Sequence, residues 1–168
     1  ALKGVKIRVP QLNIWVSFWT LLGAAPTPLP YDQQYEALST GLIDAIDSDV
    51  FSVKGFKFYE QAKYLTLTGH WFLPKAVRVN AAWLDSLPAD LQDLVRSSAK
   101  TVFAEQRTTN RANAAAVLEE LKGLGVEVTQ LPAEELARME EVTAPLFDEF
   151  GSKSPETAEM IAAIRALG

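Results

Sequence analysis

Val5-Lys6-Ile7-Arg8-Val9-Pro10 alternates apolar with basic residues and stops at a proline. Period-two alternation is the mark of a strand, so a strand is predicted here. The segment from about Leu12 to Leu22 is aromatic and helix-length, and it ends at Gly23 as a helix should. Ala25-Pro26-Thr27-Pro28-Leu29-Pro30 cannot be helical, because alternate prolines fix φ and remove donors. It reads as a short extended edge. Tyr31 to Thr40 resumes helical spacing through Tyr35, Ala37 and Leu38, with Asp32 placed as the N-cap and Gly41 as the stop. Leu42-Ile43-Asp44-Ala45-Ile46-Asp47-Ser48 is an apolar run with polar residues at its end, the pattern of a buried strand whose tip faces a ligand. The order β-α-β-α-β is α/β. In such sheets ligands bind beyond the carboxyl ends of strands. Arg8, Asp47 and Ser48 occupy such positions, and Tyr31 follows the proline-rich edge beside them.

Further along, Phe51 to Tyr59 reads as a mixed connector. Ala62–Gly69 and Phe72–Val79 are strand-like, being rich in β-branched and aromatic residues. Leu84-Asp85-Ser86-Leu87-Pro88 reads as a turn. From Ala89 to about Leu124 the chain is almost uninterrupted helix former without proline, which implies a strut across the molecule. Val126-Glu127-Val128-Thr129 alternates as an edge strand, and helices are predicted to start at Pro132 and at Ser154-Pro155-Glu156.

Composition narrows the function. The 168 residues are 48% hydrophobic and 22% charged, which is globular composition and fits one domain or two small lobes. A formal net charge of -5 argues against nucleic acid or anionic lipid as a partner. Without cysteine there are no disulfides, thiolate metal sites or thiol nucleophiles. With one histidine, His70, a multi-histidine metal site is excluded. There is no Gly-x-Ser-x-Gly elbow, P-loop or Gly-x-Gly-x-x-Gly motif. No enzyme and no cofactor are therefore expected. No signal peptide is visible, and no apolar run is long enough to span a bilayer.

Three stretches, in order and at their spacing, resemble one family: Leu2-Lys3-Gly4-Val5-Lys6-Ile7-Arg8-Val9-Pro10, Leu22-Gly23-Ala24-Ala25-Pro26-Thr27-Pro28-Leu29-Pro30 and Gln34-Tyr35-Glu36-Ala37-Leu38-Ser39-Thr40-Gly41-Leu42-Ile43-Asp44. Phe58-Tyr59-Glu60-Gln61-Ala62-Lys63-Tyr64-Leu65, Thr68-Gly69-His70 and Trp83-Leu84-Asp85-Ser86-Leu87-Pro88-Ala89-Asp90-Leu91-Gln92 agree. The chain looks like the solute-binding protein of a tripartite ATP-independent periplasmic (TRAP) transporter, of the dicarboxylate-receptor type. That resemblance implies a periplasmic-binding-protein-like α/β lobe of the class II type, carrying a long inter-lobe helix. It also implies that this is a C-terminal half, with the N-terminal lobe largely missing. By the family's interleaving, residues 1–73 and 114–168 form the second ligand-binding lobe. Residues 74–113, a crossing strand and the first part of the long helix, belong with the absent first lobe.

The resemblance further implies that Arg8 makes a two-pronged salt bridge with a ligand carboxylate, a match of paired donors to paired acceptors that lysine cannot make. It carries an aromatic ring against the ligand to Tyr31. The family's amide at the strand tip falls on Ser48, where a hydroxyl stands instead. Asp47 and Asp49 add negative charge there, so a monocarboxylate with hydroxyls, such as a sugar acid, fits better than a plain diacid. The expected function is periplasmic capture of a small organic acid by lobe closure and its delivery to membrane permease subunits. Alternatives are the sensing domain of a signalling system, or a hydrolase built on His70.

Each residue also has a plainer reading. Arg8 could be a strand-end surface cation, Tyr31 a rim or core aromatic, and Asp47 or Ser48 a turn or cap residue. Asn13 and Trp15 follow Pro10, where a loop entering a helix could face the cleft, or Trp15 could be core. Trp71 and Phe72 could line the cleft or pack beneath it. His70 could be a hydrogen-bonded structural residue, or lie at the hinge or cleft rim. A half-receptor would leave apolar surface uncovered, so it is expected to associate with its N-terminal half or to exchange the long helix with another copy.

Overall fold

A computed structural model describes residues 2–72 and 76–167. The opening strand β1 (Lys6–Val9) leads into helix α1 (Asn13–Leu21) and strand β2 (Ala25–Pro28). Helix α2 (Gln34–Ser39), strand β3 (Ala45–Ile46) and helix α3 (Val50–Gly55) follow. β1 is the central strand of a parallel sheet of order β2-β1-β3, with Arg8 opposite Thr27 on one side and Ile46 on the other. Strand β4 (Tyr64–Leu67) pairs in parallel with β5 (Glu127–Gln130). Gly23 ends α1 in the left-handed region at φ 84°, and its N–H donates to the Thr20 carbonyl at 2.9 Å. Only glycine takes that conformation without strain.

Alternation along β1 sorts two cores. Ile7 and Val9 pack with Phe18, Trp19 and Leu146 on the α1 side. On the other side Val53, Phe58, Val117, Leu121 and Val126 form a second cluster, with Ile46 packed against it. Helix α4 (Ala81–Asp85) precedes the 35-residue α5 (Ala89–Gly123), which at 1.5 Å per residue is about 50 Å long. Only Val117 and Leu121 of α5 are buried, and no described residue between 76 and 113 is. Helices α6 (Ala133–Thr143), α7 (Pro145–Gly151) and α8 (Pro155–Arg165) complete the chain. No helix of the described residues is long and apolar enough to cross a membrane.

Five local expectations need correction. The strand expected over 42–48 shrinks to Ala45–Ile46: the Asp44 N–H donates to the Lys6 carbonyl at 2.8 Å, but its side chain takes the Lys6 N–H at 2.9 Å, so that donor is closed to the backbone before Asp44. Asp32 caps nothing: it lies inside a single 3-10 turn, Tyr31–Gln33, set by the backbone of Pro30. The connector over 51–59 is mostly helical. Asp49 caps α3 by accepting the Ser52 N–H at 3.0 Å and its hydroxyl at 2.7 Å, an Asp-x-x-Ser signal that was present in the sequence. Phe72 and residues 76–79 form no strand, and residues 73–75 of that expected strand lie outside the described residues. Phe72 is 88% exposed and Val77 65%, so β-branched composition finds no sheet neighbour among the described residues. The turn expected over 84–88 begins later, because α4 runs to Asp85 under a cap in which Asn80 accepts the Trp83 N–H at 3.0 Å.

Candidate functional site

Arg8 lies on the Ile46 face of β1 and is 4% exposed. Its Nε and Nη2 both donate to the Leu29 carbonyl, at 3.0 and 2.7 Å. Nη1 has no acceptor among the described residues. No carboxylate among them forms an ion pair with the guanidinium. Burial lowers its pKa from the ordinary arginine value, against the opposing influence of Tyr31 and Asp47. A buried cation without a counter-ion is costly to fold around. The arrangement is therefore chemically unfinished on one side and suited to a small anion.

Tyr31 sits beside it, its ring centre 5.5 Å from the guanidinium carbon, close enough for a cation–π contact. The ring is 42% exposed and meets Phe56 edge-on at 5.1 Å. The turn that presents it is fixed from below: fully buried Gln34 donates from Nε2 to the Tyr31 carbonyl at 2.9 Å. Gln34 Oε1 is buried without a partner.

Asp47 follows β3, and its N–H donates to the Arg8 carbonyl at 3.4 Å. Alternation turns its side chain to the other face, toward α1. There a single carboxylate oxygen, Oδ2, accepts from Trp19 Nε1 at 3.1 Å and Trp71 Nε1 at 3.1 Å, and meets His70 Nε2 at 3.4 Å. Burial raises the Asp47 pKa more than any other single influence. Hydrogen bonding and charge from His70, with the two indole donors, outweigh it, so the carboxyl titrates below its usual range. His70 Nδ1 lies 2.5 Å from Thr68 Oγ1, and its ring stacks on Phe18 at 5.0 Å. Trp15 stacks on Trp71 at 4.6 Å, extending the aromatic wall.

The structure thus brings together two groups at the carboxyl ends of the strands: Arg8 with Tyr31, and Asp47 with His70, Trp71 and Trp15. Ser48 is half-buried next to Asp47, and its side chain makes no hydrogen bond among the described residues. Asn13 is exposed at the first position of α1 and contacts neither group through a hydrogen bond. Asp49 is committed to its helix cap. Sequence reasoning missed the Leu29 carbonyl, Gln34, Thr68 and Trp19. Of these only Trp19 carried a signal, lying one helical turn beyond Trp15 on α1. Among the described residues no cluster of His, Asp and Glu could hold a metal ion.

The model of the family described as bacterial extracellular solute-binding protein, family 7, matches residues 1–154. The chain is 34% identical over 170 residues to the C4-dicarboxylate-binding periplasmic protein DctP of Rhodobacter capsulatus, covering 97% of this chain and 49% of that protein. The solved TRAP periplasmic solute-binding protein of Xanthobacter autotrophicus, with bound β-D-galacturonate, superposes with a TM-score of 0.90 at 34% identity, covering 98% of this chain and 54% of that one. The sugar acid binding protein DctPAm of Advenella mimigardefordensis, in complex with galactonate, superposes at 0.89 and 30% identity, covering 95% and 52%. The chain spans about half the length of the relatives it matches. In sequence and fold alike, it belongs to family 7 of the bacterial extracellular solute-binding proteins, the periplasmic receptors of TRAP transporters.

Proposed function

We propose that this chain is one half of a two-lobed periplasmic receptor that captures a small hydroxylated organic acid and hands it to membrane permease subunits. One observation carries the reading: Arg8 is buried, lacks a counter-ion among the described residues and keeps Nη1 free of any acceptor there. In this reading Arg8 grips the carboxylate, Tyr31 flanks it, Ser48 faces the polar substituents, and Asp47, its side chain turned toward α1, sets the field around them. A fixed negative charge at Asp47 disfavours a second carboxylate at that end and favours hydroxyls. The galacturonate and galactonate bound by two of its structural neighbours are acids of that kind. Nothing is chemically transformed; lobe closure dries the site and strengthens the ion pair by reducing its screening.

The same reading divides the chain. Residues 1–73 and 114–168 make the lobe that holds Arg8, while 74–113 pack with the other half of the receptor. The exposure of that stretch, including Leu94 and Val102, supports this assignment.

Titration calorimetry on the complete receptor tests the ligand class, using galacturonate, galactonate and succinate. The sugar acids are expected to bind, and Arg8→Lys to weaken them by about 30- to 100-fold, because a point charge replaces a two-donor fork. Tight binding of succinate alone, or sugar-acid binding indifferent to Arg8→Lys, would sink the proposal.

A further inference from the structure

The Asp47 hub contains one titratable cation, and it faces the same carboxylate oxygen that two indoles hold. Asp47 is bonded through its backbone to Arg8. His70 Nε2 meets the Asp47 carboxylate at 3.4 Å. The Asp47 carboxylate is thus in contact with the His70 imidazole and within electrostatic reach of the Arg8 guanidinium. We propose that His70, acting through Asp47, makes anion capture at Arg8 proton-linked, so that the receptor binds its acid more tightly as pH falls and takes up a proton on binding. This rests on the reading that Arg8 holds a carboxylate.

The physical argument is one of charge balance. With His70 neutral, Asp47 is an uncompensated negative charge beside Arg8, and it opposes an incoming anion. With His70 protonated, the imidazolium neutralises Asp47 and leaves the guanidinium field to the ligand. Histidine is the side chain whose charge changes between about pH 5 and 8. Its surroundings otherwise hold no charge. From α1 it meets Phe18 and Trp19, from its own segment Thr68 and Trp71, and from β3 Asp47. Among the described residues no other titratable group lies within hydrogen-bond or ion-pair reach of it, and Tyr31 faces Arg8 rather than His70. The roles differ: Arg8 contacts the ligand, whereas His70 and Asp47 are positioning residues that set the field around it.

Two measurements test this. In the complete receptor, galacturonate affinity is expected to be roughly three- to tenfold tighter at about pH 5.5 than at about pH 8, the effect of one added charge in a partly wet site. Calorimetry in two buffers of different ionisation enthalpy should show fractional proton uptake near neutral pH. His70→Gln should remove both the slope and the uptake, and Asp47→Asn, which withdraws the carboxylate that favours the imidazolium, should move both to lower pH; using both keeps the test decisive if one variant fails to fold. Arg8-dependent binding that is flat in pH, without proton uptake, would overturn the relay while leaving the proposed function standing.

The second measurement needs no ligand. His70 is the one histidine of the 168-residue chain, so its imidazole resonance is unambiguous. The pH at which that resonance moves should lie higher in Arg8→Gln than in the wild type, because a like charge has been removed. No difference would also overturn the relay. If no acid binds at all, the functional reading fails, and this resonance still decides whether Arg8 and His70 are coupled.

Discussion

Asp47 concentrates more structural information than any other residue in the chain. Two indole N–H groups converge on one of its oxygens, with an imidazole nitrogen at longer range. Such a hub is stable only while the carboxylate is ionised, since a protonated acid offers fewer acceptor sites to its donors. The folded-state pKa is depressed, so the contribution is complete above the unfolded carboxyl range and is lost as pH falls through the folded value. The chain should therefore lose stability on acidification below about pH 4, and Asp47→Asn should flatten that acid limb. At neutral pH the same variant should cost about 1–3 kcal/mol, measured by denaturant unfolding. A variant that kept the wild-type acid limb would show that other carboxylates govern it. The sequence pointed to Asp47 as a ligand-facing tip residue, and its backbone is at such a tip. What it did not reveal is the donor set, because Trp19, His70 and Trp71 lie 23 or more positions away and only the folded chain brings them together.

Among the elements, α5 behaves as two helices joined end to end. Its C-terminal turns pack Val117 and fully buried Leu121 against α3 and β5. Its N-terminal turns bury nothing among the described residues. Leu121→Ala is expected to destabilise the chain by about 2–5 kcal/mol, the cost of a core cavity. Leu94→Ala in the same helix should change the stability of the isolated chain by less than about 0.5 kcal/mol, as exposed substitutions do. Comparable losses at both positions in chemical denaturation would mean that the N-terminal turns are buried in solution. The helix itself was legible, since its composition favours helix over its whole length and glycines end it. So were β1, α1 and β5, where alternation or a glycine stop decides. β3 was overextended, and Phe72 and residues 76–79 were wrongly read as strand, because strand propensity reports the side chains and not the neighbour that must complete the ladder. For β3 the ladder goes no further back than Asp44, whose N–H donates to the Lys6 carbonyl while its carboxylate takes the Lys6 N–H.

The whole chain is a lobe with one unfinished side. Phe72, Val77, Val79 and Trp83 are exposed along the stretch that leads into α5, where Leu91 and Leu94 continue the apolar surface. Under the proposed division of the receptor, this surface packs with the other half. The isolated chain is then expected to self-associate as its concentration rises, and co-expression with the other half should suppress this. Multi-angle light scattering checks both, and a monomer at every concentration tested would count against the proposed division. One further consequence comes from the tryptophans. Of the four in the sequence, Trp15, Trp19 and Trp71 gather at the Asp47 hub, and only Trp83 lies elsewhere, on α4. The intrinsic emission of this protein is thus a nearly local signal. It reports the polarity and protonation of the hub beside Arg8, so an arriving solute can be followed by its own light, without a label.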